Sequence, residues 1–129
     1  MSFDNKIVPF KITGVSYGLK EVIGFASLSE QCFQVEYQLR DSFVGMWTTD
    51  TRLAAIDYAD LDEISFEKGW FSGKIILKGN TMDAFEGLPG TRPGLRTLKV
   101  DHKDREKAAK LVSQLRMLLS EYRLNEMEG

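Results

Sequence analysis

The sequence predicts a mainly β fold: a small bent β-barrel of about seven antiparallel strands plus one C-terminal amphipathic α-helix, at about 102–124, that caps one end. Three observations carry this reading. Phe33, Val35, Tyr37 and Leu39 alternate strictly with Gln34, Glu36, Gln38 and Arg40, the pattern of a strand with one face in a core and one in water. Short apolar runs recur along the chain, separated by Gly-, Pro- and Ser-rich turns. After Val100 the period changes: Ala108, Leu111, Val112, Leu115, Leu118, Leu119 and Tyr122 recur at helical spacing.

The elements follow in order. Val8, Phe10 and Ile12 alternate in the first strand, and Pro9 suits a strand start or an edge because it donates no ladder hydrogen bond. The run 21–28, EVIGFASL, is a second strand, and Gly24 within it predicts a bend or bulge. SLSEQ is a turn before the alternating strand 33–40. Residues 41–51 form a longer connection that holds Trp47. RLAAID, 52–57, is a strand, and Leu61, Ile64 and Phe66 are core positions of the next. GKIILKG, 73–79, places Ile75 and Leu77 on one face and Ile76 on the other. Met82 and Phe85 fit either a helical turn or a ragged strand. GLPGTRPG, 87–94, is a loop by its Gly and Pro content. LRTLKV, 95–100, turns Leu98 and Val100 inward. Asp101 is placed to cap the helix, with Asp104 three residues on as in a capping box. Lys103, Lys107, Lys110, Arg116 and Arg123 fall mainly on the opposite face from the apolar stripe.

The 129 residues fit a single domain, 1–129. A hydrophobic share of 43%, a charged share of 28% and a net charge of −2 are ordinary for a globular chain. They argue against non-specific nucleic-acid binding and a purely electrostatic membrane anchor, both of which need a Lys/Arg excess. The one cysteine, Cys32, allows no internal disulfide. MSFDNKIVPF lacks a signal pattern, neither terminus carries a lipidation motif, and no run nears the ~18 apolar residues of a membrane span. The expectation is a soluble cytoplasmic protein.

Two longer stretches resemble the pleckstrin-homology-like (PH/GRAM-like) family. AIDYADLDEISFEKGWFSGKIILKG, 55–79, is similar to the family's strand pair in which a short turn breaks one strand before a hairpin. LKVDHKDREKAAKLVSQLR, 98–116, resembles its last strand and helix. The nearest likeness is to bacterial PH-like proteins of uncharacterised function that share a Trp-Phe turn and a G-L-P-G loop. The resemblance spans about residues 20–120 and rests on packing motifs. It implies a barrel closed by a helix; such packing motifs are nearly silent on function, and self-association enters only by analogy with oligomeric members. Phosphoinositide-binding members place Lys and Arg in and after the first hairpin turn. That turn is read here as SLSEQC, with Glu30 and then Glu36, and no base before Arg40. The usual phosphoinositide site is therefore not expected.

The residues that carry chemistry are sparse. His102 is the only histidine, so with Cys32 it cannot complete a His/Cys zinc site, and it reads as a solvent-facing residue of the helix's first turn. Cys32 heads a strand with no base brought to it. Walker A and G-x-G-x-x-G patterns are absent. Asp57, Asp60, Asp62 and Glu63 are of the type that binds a hard cation, but their spacing is not that of an EF-hand, and Asp60 and Asp62 suit turns. No catalytic residue, cofactor or metal is expected.

Binding candidates are clearer. Arg92, with Arg96 beyond it, lies in a Gly/Pro loop where an anion or partner carboxylate fits; the plain alternative is a solvated loop arginine. Trp70 and Phe71 stand side by side in the turn EKGWFSG, flanked by Lys68 and Lys74. Strand alternation ends near Lys68, and two adjacent rings are not expected to share one pocket, so one should pack and the other be partly exposed. With Trp47, they are candidate interface anchors. The leading expectation is a non-enzymatic module that binds a protein partner or a second copy of itself. The alternatives are an anionic-lipid surface that Trp70 and Phe71 enter while Lys68, Lys74 or Arg92 meet headgroups, and a small enzyme whose polar cluster the sequence does not reveal.

Overall fold

The alternating run becomes strand β3 (Cys32–Asp41), with Phe33, Val35 and Tyr37 buried and Gln34 and Glu36 exposed. It belongs to a computed structural model that describes residues 7–128; the readings made on the first six residues and on Gly129 lie outside them. The other strands are β1 (Val8–Val15), β2 (Lys20–Leu28), β4 (Arg52–Asp57), β5 (Leu61–Lys68), β6 (Ser72–Gly79) and β7 (Leu95–Asp101). Helix α1 (Arg105–Glu128) follows. The strands form one seven-stranded antiparallel sheet in the order β4-β3-β2-β1-β7-β6-β5. Among the described residues no ladder joins β4 to β5, so the sheet ends on two edges.

The helix covers part of this sheet. Ala108, Leu111, Val112, Leu115 and Leu119 are buried, packed mainly over β5 and β6. Each fully buried Leu or Val contributes roughly 1.5–3 kcal/mol. That contribution, more than intrinsic propensity, holds a helix in place. The helix begins and ends later than the sequence suggests. Residues His102–Asp104 form a 3₁₀ turn, Asp101 makes no side-chain cap hydrogen bond, and Asp104 is buried just before α1.

Two other expectations are corrected. Gly24 marks no bulge, because the β1–β2 register runs unbroken through it. A Cβ there would lie 2.5 Å from the Glu36 carbonyl oxygen and 2.9 Å from Tyr37 Cβ, so glycine permits close approach of β2 to β3. The bulge lies instead in β1, between Ile12 and Val15, where Gly14 takes a φ of 81°. Residues 82–87 form successive turns, neither helix nor strand; Phe85 is buried and Met82 exposed.

Pro9 sits at the second position of β1, before β7 joins that strand at Lys11–Lys99. A second irregularity, between Leu61 and Glu63, lets both Leu61 and Ile64 face the core despite their odd spacing. Arg123 secures that point from the helix by donating to the Leu61 and Asp62 carbonyls.

Candidate functional site

The β5–β6 hairpin turns at Gly69–Phe71. Lys68 ends β5 and pairs with Gly73, so the alternation does stop there. Beyond it both rings project outward: Trp70 is 90% exposed and Phe71 86%. The expected division into one packed and one exposed ring is thus incorrect. The setting is local: alternation stops at Lys68, and the ring that packs beside the turn is Phe66, which lies over Gly73, where a Cβ would come within 2.6 Å of it.

The turn is nonetheless held. The Gly69 N–H donates to the Ser72 carbonyl at 2.8 Å, and the Arg105 guanidinium donates to the Gly69 carbonyl at 2.6 Å. A cavity of about 300 Å³ beside it is lined by Phe66, Lys68, His102, Lys103, Arg105 and Glu106. Lys74 is exposed on β6, opposite Glu67.

A second apolar surface escaped the sequence reading. The β1–β2 turn and the β3–β4 connection meet, the Ser42 N–H donating to the Leu19 carbonyl at 3.0 Å. Tyr17, Leu19, Phe43, Val44 and Met46 are exposed there, and Trp47 is 51% exposed with the Arg40 guanidinium 5.5 Å from its ring centre. The Asp41 carboxylate organises the connection by accepting from the Phe43 and Val44 N–H groups, each at 2.8 Å. Those bonds, chiefly Val44's, hold its pKa below the ordinary value. Tyr17 and Ser16 adopt left-handed φ values of 59° and 52°, costly for residues with a Cβ. The available signal was composition: SFVGMW, residues 42–47, is strongly apolar for a connection between two polar-faced strands.

This geometry also relocates the first hairpin turn. It is Ser16–Leu19, not SLSEQC, which joins β2 to β3. The new turn holds no Lys or Arg, and Lys20 and Glu21 follow it. The Glu21 carboxylate is engaged by Arg40, whose Nε lies at 2.8 Å.

The two loop arginines have different fates. Arg92 is exposed at the start of a turn, with the Leu95 N–H donating back to its carbonyl at 3.4 Å. Pro93 and Gly94, the latter at φ 69°, suit the central positions of a type II turn. Arg96 points into the loop. Its Nε donates to the Leu88 carbonyl at 2.7 Å, Nη1 to those of Arg92 and Leu95 at 2.6 and 2.7 Å, and Nη2 to that of Phe85 at 3.1 Å. The guanidinium also lies 5.6 Å from the Phe85 ring centre. Arg96 is thus a brace for 85–95 with few donors left for a ligand.

The remaining chemistry-bearing residues stay apart. Asp57, Asp60, Asp62 and Glu63 are all exposed, and among the described residues no three His, Cys, Asp or Glu side chains are placed to hold a metal ion. Cys32 opens β3 half-buried, its Sγ 3.2 Å from Ser29 Oγ. His102 is exposed in the 3₁₀ turn. No helix among the described residues is long and apolar enough to cross a membrane. Comparison with protein-family models, with curated proteins and with solved structures finds no match to this chain.

Proposed function

We propose that this chain is a non-enzymatic interaction module that binds a protein partner, a second copy of itself included, through the Trp70–Phe71 turn and the open edge at β4. The supporting observation is that both rings are almost fully exposed on a turn braced by Arg105. A soluble domain loses solubility by displaying two aromatic side chains on a fixed turn, whereas an interface gains rigid contact area at low entropy cost. A PH-like identity and a cytoplasmic location belong to the same reading. The turn at Tyr58–Asp60 before the β5–β6 hairpin, and the terminal helix after β7, support the first; the lone cysteine supports the second.

The test is light scattering after gel filtration over a range of concentrations. The expected result is a concentration-dependent dimer or higher species. Trp70→Ala and Phe71→Ala should each weaken it by about 1–2 kcal/mol, roughly five- to thirtyfold. A monodisperse monomer for the parent chain at every concentration, unchanged by either substitution, removes self-association.

A second reading, contact with an anionic membrane, is favoured by the setting of the same turn. Arg105 is bonded to the turn at the Gly69 carbonyl, Lys68 and Lys103 line the cavity beside it and Lys74 is exposed just past it on β6, a basic setting that suits aromatic insertion between acidic headgroups. Flotation with anionic vesicles at low salt separates the readings, since absence of flotation leaves only the protein partner.

A further inference from the structure

Strands β1 and β7 share a single register position, Lys11 opposite Lys99. Lys99 is also directly opposite Lys74 on β6. Residues directly opposed across antiparallel strands lie on the same face with Cβ atoms roughly 4.5–5.5 Å apart, and like charges there are destabilising. Three lysines therefore stand in one row on the outer face of adjacent strands, in a chain whose net charge is −2. The ends of the row have acids nearby. Glu67 is opposite Lys74, and Glu21 approaches Lys11 at 4.0 Å while engaged mainly with Arg40. Lys99, at the centre, has no ion pair among the described residues.

Just beyond this row the two strands part. Thr13 and Gly14 fall in the β1 bulge and have no register partner on β2 or β7. A cavity of about 240 Å³ opens between the strands, and the loop before β7 overhangs it. Its polar lining is Thr13, Thr91, Thr97, Arg92, Arg96 and Lys99, with no acidic side chain. The loop is fixed: Arg96 ties four carbonyls between Phe85 and Leu95, and Gly90 leaves room for that side chain, because a Cβ there would lie 2.5 Å from Arg96 Cδ. Arg92 is carried on the Pro93–Gly94 turn.

From this we infer that the β1–β7 seam is a binding site for a phosphoryl group. Lys99 and Arg92 supply two cationic donors not spent on the loop, and the Thr13, Thr91 and Thr97 hydroxyls supply further donors. A phosphoryl group brings a charge near −2 and three acceptor oxygens, which matches that set better than a carboxylate does. The volume falls below the roughly 300–1,000 Å³ of drug-sized ligand sites, so one small anion or a single headgroup is the occupant. The repulsion along the lysine row is the cost that such a ligand relieves. This site is separate from the Trp70–Phe71 turn and stands or falls independently of the protein-binding reading.

The test uses the full chain, isotope-labelled and followed by amide resonances. Inorganic phosphate is titrated in, acetate is titrated in parallel, and phosphatidylcholine vesicles doped with phosphatidic acid form a third arm. Expected are saturable shifts at Thr13, Thr91, Thr97 and Lys99 with phosphate. Affinity should fall about tenfold or more in Lys99→Gln and in Arg92→Gln, and stay unchanged in Lys78→Gln, which lies outside the seam. Lys99→Gln should also raise the thermal midpoint of the free chain, because it removes the central repulsive charge; this confirms that the variant folds. Seam shifts with vesicles but not with free phosphate assign the group to a lipid and keep the site. No saturable response in either phosphoryl arm, an equal response to acetate, or full binding by Lys99→Gln overturns the proposal.

Discussion

Arg96 shows how one side chain converts a Gly/Pro-rich segment into a defined surface. A charged donor to a carbonyl contributes about 1.5–3 kcal/mol when buried and less where solvent competes. Arg96 makes four such bonds, and burial lowers its pKa without depriving it of charge. Arg96→Ala should therefore destabilise the chain by about 2–4 kcal/mol in urea unfolding, and Arg96→Lys by nearly as much, since an ammonium cannot span the same carbonyls. Gly90→Ala should cost stability through the same contact, its Cβ falling 2.5 Å from Arg96 Nε. The two effects share one cause. In an Arg96→Ala background the Gly90→Ala penalty should vanish, and a double-mutant cycle that returns additive losses contradicts the brace.

At the scale of elements, legibility tracked regularity. Strand β3 was readable because its pattern alternates without a break, and the stripe of α1 because its period is sustained. The helix start was missed because a 3₁₀ turn intervenes between Asp101 and Arg105, where no hydrophobic period operates. The direction of Trp70 and Phe71 was illegible because a turn suspends alternation. The lysine row needs the register of three strands, and the apolar meeting of residues 17–19 with 42–47 needs a hairpin to fold back; neither is local in sequence. That second surface has its own test. Asp41 holds the 42–47 turn as a carboxylate whose pKa is lowered in the fold by the Val44 and Phe43 N–H groups. A depressed folded pKa means the contribution is complete above the unfolded value and is lost as pH falls through the lower folded one. Trp47 emission should therefore be constant from neutrality to about pH 4 and change only below it. Asp41→Asn, which keeps an acceptor oxygen, should hold the neutral-pH emission through the acid range, whereas Asp41→Ala should show the altered emission at neutral pH.

For the whole molecule, the decisive feature is that among the described residues no strand pairs beyond β4. The β5 edge lies under α1, whereas β4 is the outermost strand on the other side. Edge strands are normally protected by proline, by inward charge or by a covering segment. Between Arg52 and Asp57, β4 has only Leu, Ala, Ala and Ile, and Leu53 is 80% exposed. Leu53 also continues a cross-strand row, Phe25 to Glu36 to Leu53, beside a groove of about 340 Å³ lined by Ile7, Phe25 and Leu53. In the proposed self-association, a two-fold axis perpendicular to the sheet would bring β4 of two copies together antiparallel with their outer faces on the same side. The exposed Leu53 side chains of the two copies would then lie on the same face at the junction. A lysine placed mid-edge opposes this by burying a charge at the junction. Leu53→Lys should leave the fold within about 0.5 kcal/mol of the parent, because the side chain is on the surface. It should also shift the chain to monomer in light scattering at concentrations where the parent associates. Association that persists in Leu53→Lys and is lost in Trp70→Ala would move the self-contact from the edge to the turn; association insensitive to both would exclude the two surfaces together.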